Sequence, residues 1–186
     1  MLSNRQAANS FDFVRRRVLL RGSAAVGALL VADGRADAAA ADGVSRTAEA
    51  IHQEIVFEAA PARIYAALTD DSQFQKVQSL VGGMPSQDIT THPAMISRDP
   101  GGAFSLFGAY IVGRQIELVP NERIVQAWRV QNWPAGIFSI ARFALVPQGL
   151  STKVMFDHTG FPNGAAGHLA TGWYEHYWEP LKKFLT

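Results

Sequence analysis

FDHTGFPNGAAGHLATGWYEHYWEPLKKFLT, residues 156–186, is the stretch whose reading decides the fold. It begins as a strand, turns at Gly160 and Pro162, and ends in an aromatic-rich helix that the loop 164–167 sets to begin near His168. Leu169, Trp173, Tyr177, Leu181 and Phe184 recur at spacings of three and four, which puts them on one helical face. Trp173 and Tyr177 face inward in this phase, and Tyr174 and Trp178 face a flank. Pro180 sits late in the helix, where it removes a backbone donor and should kink or loosen the ladder. A helix this apolar on one side needs a sheet to cover.

The sheet lies upstream. Residues 49–57 alternate Ile51, Gln53, Ile55 and Phe57 against His52, Glu54 and Val56, a strand pattern. Ala59-Ala60-Pro61 opens a helix with proline in its first turn, and Asp70-Asp71-Ser72 breaks it and caps a second through Phe74 and Val77. Turn signals then separate strands at residues 94–98, 103–107, 109–119, 123–130, 137–146 and 151–159. Strands in a run with helices set apart predict an α+β fold, a curved antiparallel sheet wrapped around one long C-terminal helix.

The first forty residues read differently. Arg15-Arg16-Arg17 precedes a short apolar run, and the small residues ADAAAADG follow. Charged, apolar and A-x-A segments in that order make a signal peptide over residues 1–41, cleaved near Ala38 to Ala41. Arg16-Arg17-x-Leu19-Leu20-Arg21 resembles the twin-arginine export signal, with Arg15 where Ser or Thr is usual, so the expected location is periplasmic. The apolar run is about eleven residues, too short for the ~30 Å of hydrocarbon, so no transmembrane segment is expected once the signal is removed. The formal net charge is +1, and the arginines of residues 1–41 supply that excess, which leaves no electrostatic case for nucleic acid. With no cysteine the chain has no thiol chemistry and no disulfides, and the folded part must rest on its core.

Several motifs over residues 50–185 resemble a known superfamily. They are Phe57-Glu58-Ala59-Ala60-Pro61 running into Ile64-Tyr65-Ala66-Ala67-Leu68, then Gly101-Gly102-Ala103-Phe104, and Pro120-Asn121-Glu122-Arg123-Ile124-Val125 with Trp128-Arg129. Thr152 leading to His158-Thr159-Gly160-Phe161-Pro162, and Gly172-Trp173, complete the set. In this order they resemble the START-like, or SRPBCC, superfamily. Closer details resemble the branch named for similarity to the activator of the 90-kDa heat-shock-protein ATPase. The resemblance implies a helix-grip fold over residues 49–186 and a cavity between the long helix and the concave sheet. It specifies fold and not chemistry, because the superfamily holds carriers, receptors and cyclases alike. Chaperone activation does not suit an exported chain, which would not meet a cytosolic partner.

Strand parity and helix phase then nominate cavity residues. Arg114 shares a face with Val112, Ile116 and Leu118; His158 shares one with Val154 and Phe156; His176 stands beside Trp173 and Tyr177. With Trp128 and Phe143 these make a candidate ligand-binding set: Arg114, Ile116, Trp128, Phe143, Phe156, His158, Trp173, His176 and Tyr177. Plainer roles stand beside it. Arg114 could pair with Glu117 or Glu175, and His158 could hold the helix loop by a hydrogen bond. No metal site is expected, since His168 and His176 are eight apart and project about 80° from each other. No catalytic residue and no cofactor is expected either, because the nucleotide, zinc-protease and hydrolase fingerprints are missing. The leading reading is a domain that binds a small apolar or amphipathic molecule. The alternatives are a cyclase, dehydratase or isomerase using the same cavity, and a protein-interaction module with a closed core.

Overall fold

The computed structural model describes residues 49–82 and 91–186. The signal-peptide reading of residues 1–41 lies outside the described residues.

The order of elements is β1 (Ala50–Phe57), α1 (Pro61–Thr69), α2 (Asp71–Gln78), β2 (Met95–Ile96), β3 (Ala103–Leu106), β4 (Ile111–Val119), β5 (Arg123–Val130), β6 (Ser139–Gln148), β7 (Ser151–Thr159), and a C-terminal helix. One antiparallel sheet holds the seven strands in the order β1-β7-β6-β5-β4-β3-β2. This is the helix-grip fold: the C-terminal helix lies on one face of the sheet, and the two short helices follow the first strand. Pro61 stands in the first turn of α1, where its missing donor costs nothing, and the Asp70 carboxylate accepts from Gln73 N to cap α2.

The C-terminal helix begins at Ala166, two residues before the expected start, and runs as α3 (Ala166–Trp173), a π-helical turn (Tyr174–Trp178) and α4 (Glu179–Leu185). Pro180 cannot donate to a preceding carbonyl. The ladder accommodates it by widening one turn earlier, where Glu179 N reaches Tyr174 O, rather than by a simple kink. The widened turn carries one extra residue and slips the apolar face by one position. Trp173 and Tyr177 face the sheet as their spacing predicts, and then Trp178, Leu181 and Leu185 do so. Trp178, expected on a flank, is fully buried, and Phe184 is only partly buried.

The core sits between this helix and strands β5 to β7. Trp173 lies 4.3 Å from Phe156 and 5.4 Å from Trp128, ring centre to ring centre, and Trp178 lies 5.2 Å from Phe156. Such pairs add about 0.5–1.5 kcal/mol each beyond the area they bury. Several polar atoms of this region are matched. Trp178 Nε1 donates to Gln53 Oε1 at 2.6 Å, Gln53 Nε2 donates to Ala170 O at 3.0 Å, and the Thr152 hydroxyl donates to Ala59 O at 2.7 Å.

Strand β4 departs from simple alternation. Its register slips between Gln115 and Glu117, leaving Ile116 as a bulged residue. Before the bulge Ile111, Gly113 and Gln115 face inward; after it Leu118, paired with the buried Ile124, packs against the core. Gly113 is required by close approach, because a Cβ there would collide with the Phe104 ring and the Ala127 carbonyl.

Candidate functional site

A cavity of about 140 Å³ opens between the start of the C-terminal helix and the β3–β4 end of the sheet. The strands contribute Ile111, Trp128 and Val130 to its wall, and the β3–β4 turn contributes Phe107 and Tyr110. The helix contributes His168, Leu169, Gly172, Trp173, His176 and Tyr177, which recur at three and four residues because they share one face. None of these lining residues is Arg, Lys, Asp or Glu.

The turn beside the cavity is strained. Phe107, Gly108 and Ala109 take positive φ in succession, at 52°, 67° and 68°. A left-handed conformation costs a non-glycine residue about 1–2 kcal/mol. Phe107 and Ala109, expected inside strands, therefore lie in a turn that ends β3 at Leu106 and starts β4 at Ile111. The turn is held from below. Phe107 N donates to the buried Gln78 at 3.1 Å, and the Phe107 ring packs 5.5 Å from Phe74 and 5.3 Å from Tyr177.

Four buried side-chain polar atoms among the described residues lack a hydrogen-bond partner, and three belong to the cavity wall: Trp128 Nε1, His176 Nδ1 and the Tyr177 hydroxyl. Buried polar groups are nearly always paired, so this concentration sets the cavity wall apart from the rest of the core. Burial pushes the Tyr177 phenol well above its usual range, so it stays protonated at neutral pH. The Trp128 indole opposes that rise without cancelling it.

Four of the sequence-predicted residues line this cavity: Trp128, Trp173, His176 and Tyr177. Phe143 and Phe156 are buried beneath Trp173, 5.7 and 4.3 Å away, and form the floor of the core rather than the wall. His158 is fully buried in a closed chain of hydrogen bonds. Trp173 Nε1 donates to His158 Nδ1 at 2.9 Å. An indole nitrogen only donates, so Nε2 carries the imidazole hydrogen. It meets Ser139 Oγ at 2.7 Å, and Ser139 donates to Trp128 O at 2.8 Å. Burial holds the His158 imidazole neutral, its pKa lowered from 6.5 to about 4. His158 thus ties the helix to the sheet, the plainer of its two roles.

Arg114 and Ile116 are misplaced by parity. Arg114 is exposed on the outer face and donates to Gly101 O at 2.9 Å; Ile116 is 47% exposed at the bulge. The apolar residues Val112, Ile116 and Leu118 suggest one inward face, but Gly113 and Gln115 occupy it and the bulge alone brings Leu118 inside. Glu117 pairs with Arg123 at 2.7 Å, so it is no partner for Arg114. Sequence reasoning missed the contribution of Phe107, Tyr110 and His168. Gly108 between two apolar residues is the signal that could have broken the strand there.

Comparison with known proteins follows this geometry. Residues 58–186 match the family described as Activator of Hsp90 ATPase homolog 1-like protein. Among curated proteins, the chain is similar to the activator of 90 kDa heat shock protein ATPase homolog 2 of Mus musculus. The identity is 27% over 143 residues, 77% of this chain and 40% of that one. It is also similar to homolog 1 of Homo sapiens, 29% identical over 97 residues, 52% of this chain and 29% of that one. The chain thus spans 40% or less of the length of these two relatives. The solved structure of an HSP90 activator from Plasmodium falciparum superposes with a TM-score of 0.63 at 19% identity, covering 73% of this chain and 95% of that one. That likeness is one of fold.

Proposed function

This chain belongs to the family of Activator of Hsp90 ATPase homolog 1-like proteins, and we propose that its domain binds a small, mostly apolar molecule in the cavity between the C-terminal helix and the sheet. One observation carries the reading: a cavity walled mainly by aromatic and aliphatic side chains, with three unpartnered buried polar atoms among its lining residues. Apolar walls supply affinity and a few convergent polar groups supply orientation. A cavity of this volume is comparable to one known to admit benzene. An acid–base role for His158 is disfavoured, since both ring nitrogens are engaged and the group stays neutral until about pH 4. Binding therefore stands ahead of catalysis.

The signal-like composition of residues 1–41 supports export, and we assign the domain to the periplasm by the twin-arginine route. Both assignments are tested on protein purified from its own cells. Native mass spectrometry should find a co-purified small molecule, and N-terminal sequencing should find a first residue between Ala38 and Gly43. A native N-terminus at Met1 or Leu2 contradicts export, and a protein that carries and accepts no small molecule contradicts the binding function. In that event the relatives' names and the exposed Ile137, Phe138 and Ile140 of the β5–β6 region favour a protein partner instead.

A further inference from the structure

The three unpartnered atoms narrow the ligand. Trp128 Nε1–H can only donate, and the Tyr177 hydroxyl, held protonated by burial, donates as well. Both residues line the cavity, and neither the N–H nor the O–H meets a hydrogen-bond acceptor. They are 3% and 6% exposed, so bulk solvent does not supply one. Two donors on the wall of one cavity without an acceptor call for an electron-rich oxygen within it, and a carbonyl oxygen, with two lone pairs, can accept from both. An anion is disfavoured, because none of the lining residues is Lys or Arg to offset the cost of burying a charge. The walls are aromatic and the volume is that of a single ring, so the remainder of the ligand is compact and apolar.

Building on the cavity reading above, we infer that the site takes a neutral, compact carbonyl compound, of the cyclic ketone or lactone class, whose oxygen is gripped by Trp128 Nε1–H and the Tyr177 hydroxyl. His176 Nδ1, the third unpartnered atom, stands on the same helical face one residue before Tyr177. It remains available to a second polar group of a larger ligand.

The test uses the full chain with two probes of matched shape, cyclohexanone and methylenecyclohexane. Both should bind and raise the unfolding temperature. The carbonyl stretch of bound cyclohexanone should fall below its frequency in cyclohexane, as for a doubly hydrogen-bonded ketone. Tyr177→Phe should weaken cyclohexanone by about tenfold, the weight of one buried hydrogen bond, and leave methylenecyclohexane unchanged or tighter. Trp128→Phe should act in the same sense. Tyr177→Phe removes an unpartnered hydroxyl, so the free variant should be no less stable than the parent. An unshifted carbonyl stretch, or parallel loss of both probes in both variants, overturns the donor pair and leaves the apolar cavity standing. If the hydrocarbon binds and the ketone does not, the carbonyl class alone is wrong. If neither binds, the cavity reading falls with it.

Discussion

The two ends of the C-terminal helix's contact with the sheet are built to different standards. Under Trp173 and Trp178, against β5 to β7, aromatic rings pack at 4.3 to 6.1 Å and the buried polar atoms of His158, Ser139, Gln53 and Thr152 are matched. Under Tyr177 and His176, toward the β3–β4 turn, there is a cavity, a run of left-handed residues and three unpaired polar atoms. The residues are similar in kind, since both ends combine aromatic rings with a histidine. What differs is satisfaction. Strain and unmatched polarity persist only where the rest of the fold over-determines them, and their concentration at one end separates scaffold from site.

The comparison can be broken at the scaffold end by Trp173→Ala. Trp173 touches Phe143, Phe156 and Tyr177 and is the donor to His158, so its loss should cost about 3–5 kcal/mol in denaturant unfolding. An unchanged midpoint would show that this end is not the core.

The same end should respond to acid. His158 titrates near 6.5 when unfolded and near 4 when folded, so between those values the unfolded chain binds more protons. Its contribution, on the order of 3 kcal/mol, is therefore complete above pH 6.5 and is lost as pH falls toward 4. In His158→Gln that part of the slope of stability against pH between 4 and 6.5 should vanish. An equal slope in the two proteins would mean that His158 is not held neutral.

The outer face sharpens the contrast by showing no effect. Arg114→Met should change stability by less than about 0.5 kcal/mol, because an exposed guanidinium bonded to one backbone carbonyl is a surface feature. It should leave ligand binding untouched, whereas a loss of binding would restore Arg114 to the cavity.

These residues also show what was legible in the sequence. Element order, the α2 cap and the boundaries of β5 and β7 follow from alternation and turn chemistry, which are local. Trp173 and Tyr177 follow from helical spacing. The errors occur where one residue is added to a regular element. The bulge at Ile116 reverses the parity of β4, and the π-turn before Pro180 slips the helix face to Trp178. The bulge appears only in the pairing of β4 with β5, and the π-turn is the ladder's response to Pro180, so a fixed period of two or 3.6 sees neither. The cavity wall drew on the β3–β4 turn for the same reason, since Phe107 meets Tyr177 only after the sheet has curved.

Gly172 offers the most direct test of the division into scaffold and site. It lies on the cavity wall, and a Cβ added there would meet nothing closer than His176 Cδ2 at 4.0 Å. Gly172→Leu should fill the cavity without disturbing the core, and should gain stability from helix propensity, by up to about 1 kcal/mol. The decisive measurement is the unfolding temperature of the parent and of Gly172→Leu across a toluene titration. The parent should rise with ligand concentration, as linkage requires for a ligand bound only by the folded state, and the variant should start higher and stay flat. Equal responses of the two proteins, or a flat parent, would contradict the placement of the binding site in this cavity.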